Sequence, residues 1–312
     1  AMGLPVLLKA VGGGGGRGQR LVTDEATLVE DIEGALREAK STFGSDGLLL
    51  ERFLPEARHV EVQIAGDGKG HVVHLFERDC TLQRRHQKVI EEAPAWGLPR
   101  ALLDKIAQDA VRLGETRDYR GLGTVEFLVV GDDYFFLELN PRLQVEHPVT
   151  EGVTGVNMPA PQLQVGMGLP LSNLPEIRLL YGVPRNDVET VVDLDTKYEL
   201  PKNRHILAAR ITAENPDEGF KPTSGRIERV SFQSTPSVWG YFSVGANGGV
   251  HEFADSQFGH LFASGRDREE ARKAMVLALK ELKVRGEIRN PVEYLVQLLE
   301  TDDFKTTDID TS

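Results

Sequence analysis

The stretch Gly123–Gly152, GTVEFLVVGDDYFFLELNPRLQVEHPVTEG, constrains the chain more than any other. Two strand-like runs, Thr124–Val130 and Tyr134–Leu139, flank the turn Gly131-Asp132-Asp133, and each carries one carboxylate, Glu126 and Glu138. The second run leads into Asn140-Pro141-Arg142-Leu143-Gln144-Val145-Glu146-His147. Two carboxylates and an amide on paired strands make an oxygen-only site suited to Mg²⁺. The cationic and carboxylate groups just beyond can hold a small anion and move a proton. A hairpin with charged outer faces would explain one glutamate by itself. It does not explain so many polar groups interrupting an apolar pattern at this spacing.

Upstream, the strand-like Leu4–Val11 contains Lys9 and runs into Gly12-Gly13-Gly14-Gly15-Gly16-Arg17-Gly18, followed by a second strand-like piece, Arg20–Thr23. Consecutive glycines let backbone N–H groups approach phosphate oxygens, and no Gly-Lys-Ser/Thr follows to make a Walker loop. A flap over nucleotide phosphates and a floppy linker both fit the glycines; Lys9 beside them favours the nucleotide. Thr23 reads as the N-cap of a helix to about Thr42. Gly47–Leu54 is an apolar strand. Arg58–Ala65 alternates, His59, Glu61 and Gln63 against Val60, Val62 and Ile64, as a strand with one polar face, and His71–Glu77 pairs back on it across Asp67-Gly68-Lys69-Gly70. Arg78, Arg84, Arg85, His86 and Lys88 then cluster between apolar flanks as a candidate anion-binding wall.

Pro99–Leu113 reads as an amphipathic helix, and Val149–Met167 as a helix that Pro159 and Pro161 break or kink. Pro170–Asn203 shows little period. Strands are expected at His205–Ala213, Arg226–Gln233, Val238–Gly245 and Phe258–Ser264, and helices at Arg266–Arg285 and Pro291–Glu300. The chain of 312 residues is long enough for one large domain or two to three subdomains. Its formal charge of -12 argues against bulk attraction to nucleic acid or anionic membrane. The lone Cys80 excludes an internal disulfide and fits a reducing, cytoplasmic setting.

The glycine loop after Lys9, Glu77–Lys88 (ERDCTLQRRHQK), Gly123–Phe127 (GTVEF) and Glu138–Pro148 (ELNPRLQVEHP) together resemble biotin carboxylase, the ATP-grasp component of biotin-dependent carboxylases. Arg210–Pro216, Val238–Val244 and His251–His260 resemble the eukaryotic multidomain acetyl-CoA carboxylase, and residues 1–150 resemble more the stand-alone bacterial type or the propionyl- and methylcrotonyl-CoA carboxylase subunits. The resemblance implies an α+β ATP-grasp fold: a small subdomain with the flap over 1–70, a catalytic large subdomain over 71–203, and a biotin carboxylase C-terminal subdomain over 204–312. It implies that Lys9 and Gly13, Gly14, Gly15 and Gly16 clasp ATP phosphates. Glu51, Arg52 and Leu54 would flank the adenine, and His59, Gln83 and His86 would line the nucleotide site. Lys88 would reach the γ-phosphate or carboxyphosphate. Glu126, Glu138 and Asn140 would ligate Mg²⁺ or Mn²⁺, Arg142, Gln144, Val145 and Glu146 would hold bicarbonate, and Arg210 would face that anion and biotin.

The implied activity is ATP-dependent carboxylation of biotin on a carrier domain, with Glu146 as base. A biotin carboxyl carrier domain and a carboxyltransferase domain are the implied partners, and a homodimer a candidate assembly. The family's usual chain begins with a separate N-terminal α/β domain that adds a lysine to the nucleotide site. Without it, weak nucleotide binding and slow or absent turnover are expected, so an interaction or inhibitor-binding fragment is the alternative. Another ATP-grasp ligase is less favoured, because it would not need Arg142–His147 or Gln83–Lys88.

Overall fold

In a computed structural model describing residues 2–13, 18–45, 47–187, 189–245, 247–251 and 255–311, the first element is a small three-stranded sheet. Strands β1 (Val6–Ala10), β2 (Gln19–Val22) and β3 (Leu48–Arg52) pair antiparallel in the order β2-β1-β3. Helix α1 (Leu28–Phe43) covers one face through Val6, Leu8, Val22 and Ala35. Thr23 is not its N-cap. The helix begins four residues after Asp24, whose carboxylate instead accepts from Ala26 N at 2.9 Å in a turn. Gly14, Gly15 and Gly16 lie outside the described residues.

Next come β4 (Arg58–Asp67), β5 (Val72–Asp79), the short hairpin β6 (Gln83–Arg84) and β7 (Gln87–Lys88), β8 (Ile90–Ala93), α2 (Arg100–Glu115), β9 (Arg120–Val130) and β10 (Asp133–Asn140). Helices α3 (His147–Thr154), α4 (Pro159–Gly166) and α5 (Pro175–Leu180) follow. The single kinked helix expected over Val149–Met167 is two helices. Gly155 ends α3 in the left-handed conformation, and Pro159 starts α4, where its missing N–H is harmless.

The last third contributes β11 (His205–Thr212), β12 (Glu214–Asn215), β13 (Lys221–Pro222), β14 (Gly225–Ser231), β15 (Val238–Phe242), β16 (Gly249–Val250), β17 (Gln257–Gly265), α6 (Arg268–Glu281), β18 (Lys283–Gly286), α7 (Val292–Glu300) and α8 (Asp302–Thr306). The helix expected to reach Arg285 ends at Glu281, and β18 pairs with β14 instead. A Cβ at Gly286 would lie 2.2 Å from Arg226 O, so only glycine lets these two backbones approach so closely.

One eight-stranded sheet, in the order β10-β9-β4-β5-β8-β11-β17-β15, runs through the molecule. Its β4–β5 pairing crosses residue 70 and its β8–β11 pairing crosses residue 203, the two sequence-based subdomain boundaries. Val60, Val62 and Ile64 of β4 pack with Leu103, Ile106 and Ala107 of α2 on one face. Farther along that face, Leu207, Ala209 and Ile211 pack with Met275 and Leu279 of α6 and Leu295 of α7. The other face receives α3 through Val149 and Val153 against Ile206, Ala208 and Phe262, and α4 through Val165 near Ala65 and Leu122. The period-two alternation of β4 therefore separates an apolar core face from a polar face that is also buried: His59, Glu61 and Gln63 are covered, not solvated.

Candidate active site

The polar groups gather on the α3 face of the large sheet, in rows fixed by strand register. Glu61 of β4 pairs with Glu126 of β9, and Glu126 with Glu138 of β10, while Glu61 also faces Arg78 of β5. A bulge between Phe136 and Glu138 makes this row. Without the extra residue Glu138 would slip one position, to the opposite side of the strand from Glu126.

Lys88 joins the carboxylates. Its Nζ lies 2.5 Å from Glu61, 2.9 Å from Glu126 and 2.7 Å from Glu146. Burial works against its charge, but those three carboxylates prevail and hold its pKa well above the usual lysine value. Burial likewise opposes ionisation of Glu146, and Lys88, Arg210 and Arg78 outweigh it, so the carboxyl sits well below its usual range. Glu126 is lowered in the same sense, burial being overcome by His59 and Lys88. Arg210 donates through Nε to Glu91 at 2.5 Å and through a terminal nitrogen to Glu146 at 3.1 Å.

Asn140 Nδ2 lies 3.0 Å from oxygens of both Glu126 and Glu138, so the two carboxylates converge on one amide. Gln144 donates to Glu126 at 3.1 Å. His59 Nε2 is 2.8 Å from Glu126, and its Nδ1 is 2.7 Å from the Gln83 amide. Ligand atoms of His59, Glu61 and Glu126 lie within 4.8 Å of one another. Convergent carboxylate oxygens, with an amide that can turn its oxygen inward, fit a hard divalent cation.

Sequence reading passed over Arg78 as part of a wall. Fully buried, it donates to Glu61 (2.5 Å), Gln63 (2.9 Å), Thr150 (2.9 Å), Gln144 (3.1 Å) and Thr124 (3.3 Å). The expected anion wall is thus divided. Arg84 pairs with Glu214 and lies over the Phe220 ring, and Arg85 and His86 are exposed at the β6–β7 turn with φ of 52° and 61°. His86 is not brought to the carboxylate row. Arg142 and Val145 are exposed beside it, whereas Gln144 and Glu146 are buried within it. Lys9 pairs with Glu51 at 2.7 Å on the small sheet, whose strand β3 ends at Arg52, and Leu54 lies two residues beyond that end. Glu61 and Glu91 were also missed; the period-two polar face of β4 was the one sequence signal pointing to Glu61.

Family models match the chain in two parts: the carbamoyl-phosphate synthase L chain ATP binding domain over residues 1–174 and the biotin carboxylase C-terminal domain over residues 208–312. Acetyl-CoA carboxylases of Dictyostelium discoideum (52% identical over 313 residues) and Schizosaccharomyces pombe (50% over 321) each match 99% of the chain, residues 1–150 included. The chain spans 14% of the length of each. A Saccharomyces cerevisiae relative, 47% identical, is named mitochondrial, and no helix among the described residues is long and apolar enough to cross a membrane. Among solved structures, the Campylobacter jejuni biotin carboxylase β-γ-ATP complex is 34% identical with a TM-score of 0.86. The biotin carboxylase domain dimer of Hydrogenobacter thermophilus 2-oxoglutarate carboxylase, solved with MgADP, ADP and bicarbonate, is 32% identical with a TM-score of 0.87. Each alignment covers 99% of this chain and 64% of the other. By the two family models and a fold shared over nearly its whole length, the chain belongs to the ATP-grasp biotin carboxylase domains.

Proposed function

We propose that the chain catalyses ATP-dependent carboxylation of biotin on a carrier domain, using bicarbonate through carboxyphosphate, as the first half-reaction of an acetyl-CoA carboxylase. The observation that carries this reading is the position of Lys88, one cation bridging the Glu126 row and Glu146. A group there can touch both a nucleotide's γ-phosphate and an anion held by Glu146 and Arg210. Glu126, Glu138 and Asn140 would hold Mg²⁺ or Mn²⁺, which when bound neutralises phosphate charge. Lys9 and the glycine flap would clasp the phosphates, Glu51, Arg52 and Leu54 would flank the base, and His59 and Gln83 would border the nucleotide.

Bicarbonate would lie against Arg142, Gln144, Val145 and Glu146. Arginine's planar fork suits a planar anion, as a lysine would not. Lys88 and Arg210 keep Glu146 ionised. An anion entering between those cations draws them off the carboxylate, so its proton affinity rises as its substrate arrives. Glu146 then takes the bicarbonate proton while a bicarbonate oxygen attacks the γ-phosphorus and ADP leaves. Carboxyphosphate breaks into CO₂ and phosphate, the phosphate takes the N1 proton of biotin, and N1 attacks CO₂. A carrier domain and a carboxyltransferase domain would complete the system. The named dimer of the Hydrogenobacter domain supports a homodimer, and a cytoplasmic site stays part of the proposal.

Glu146→Gln tests this reading. It should retain ATP binding by calorimetry while bicarbonate-dependent ATP cleavage falls about 10²–10⁴-fold. Near-normal turnover would sink the assignment of Glu146.

A further inference from the structure

We infer that His260, acting through Glu91, is a positioning residue for Arg210. The inference deepens the proposed reaction and rests on that reading for its kinetic consequence. Arg210 and His260 are register partners on β11 and β17, and Glu91 of β8 pairs with Ala208, two residues from Arg210 on the same side of the strand. The Glu91 carboxylate thus lies between them. One oxygen accepts from Arg210 Nε at 2.5 Å and the other meets His260 Nε2 at 3.0 Å.

Both groups beneath Arg210 are sealed from solvent: Glu91 is 0% exposed and His260 3%. Burial of Glu91 favours its neutral form, but Arg210 and His260 lower its pKa, so the carboxylate stays charged and acts as a fixed acceptor. His260 is itself held by packing on the Phe262 ring, centroids 4.3 Å apart, and its Nδ1 has no hydrogen-bond partner among the described residues. With one bond to spend, on Nε2, the ring has a single use in this setting, which is to fix one Glu91 oxygen and thereby the direction of the other.

That direction matters because a guanidinium gripped at Nε, next to its aliphatic stem, cannot turn about its long axis. Its terminal nitrogens then point away from the grip, and here one reaches Glu146 Oε2 at 3.1 Å. Release of the Glu91 carboxylate would free Arg210 to rotate without removing its charge. Misplacement of a positioning group by about 1 Å can lower a rate on the order of 10²-fold.

The test compares His260→Phe, which keeps a ring against Phe262 but has no donor, with His260→Gln, which restores an N–H toward Glu91. Two readouts are taken on this chain. In the first, the Arg210 side-chain Nε–H signal should be resolved and slow to exchange in the wild type and in His260→Gln, and averaged away in His260→Phe. In the second, bicarbonate-dependent ATP cleavage should lose about 10²-fold in kcat in His260→Phe with KM for ATP unchanged, and His260→Gln should recover most of it. An unchanged Nε–H signal in a folded His260→Phe, or a His260→Gln as impaired as His260→Phe, would overturn the inference. If the phenylalanine variant does not fold, His260→Met against His260→Gln carries the same contrast. A wild type without bicarbonate-dependent cleavage would count against the proposed function, and the Nε–H signal would still decide the role of His260.

Discussion

Glu91 and Glu92 are chain neighbours on β8, both buried, and each accepts from one arginine and one histidine, yet they face opposite sides of the sheet. Glu91 meets Arg210 and His260 on the α3 face. Glu92 meets Arg268 at 2.7 and 3.0 Å and His205 at 2.7 Å on the α6 face. The difference lies in where each arginine's remaining nitrogens go. Arg268 donates to Phe304 O at 2.7 Å and lies 4.1 Å over the Phe304 ring, so every contact is with protein. Arg210 offers a terminal nitrogen to Glu146, which lies beside exposed Arg142 and Val145. The same residue inventory serves packing on one face and a reacting site on the other.

The comparison breaks most visibly if its packing half is cut. Arg268→Ala leaves Glu92 buried beside His205 alone and should cost about 3–5 kcal/mol in urea unfolding, with nucleotide binding by the folded protein unchanged. A loss below about 1 kcal/mol would mean that the Glu92 side is not structural. Next in size is an acid dependence. Burial works against ionised Glu92, and His205 and Arg268 overcome it, bringing its pKa from 4.5 to about 2. A depressed folded-state pKa contributes stability above the unfolded value, and that contribution fades as pH falls from 4.5 toward 2. The fade should amount to roughly 3 kcal/mol. Glu92→Gln should flatten the stability profile in that window; an identical profile would remove Glu92 as its source. The smallest effect is the control. Arg266 and Glu270 form an exposed pair at 2.9 Å one turn apart, and Arg266→Ala should move the urea unfolding midpoint by no more than its measurement error. A larger shift would show that burial is not what separates the pairs that matter.

This pairing also marks where sequence reading stopped. The β9–β10 hairpin was legible because its turn, its apolar runs and both glutamates sit within one short stretch, and four strands of the last third could be placed from their own residues. The buried polar face of β4 was visible as a pattern, but the pattern does not say whether a polar face meets water or other charges. Glu91 and Glu92 could not be told apart. Their faces are set by pairing with β11, on the far side of the weakly patterned stretch Pro170–Asn203. Arg78 read as one cation in a cluster because its partners Thr124, Gln144 and Thr150 come from β9, the segment before α3 and α3 itself. The bulge opposite Glu126 has no short-range signature, and yet it sets which carboxylates meet.

The β8–β11 pairing has a consequence for synthesis. Strand β8 ends at Ala93, and its partner begins at His205. At about 5–20 residues per second, a ribosome leaves that edge without its neighbour for on the order of ten seconds. Through that interval Ile90 and Ala93, both buried in the finished sheet, have no neighbour on the β11 side, so the join between the two parts of the sheet closes late in the life of the nascent chain.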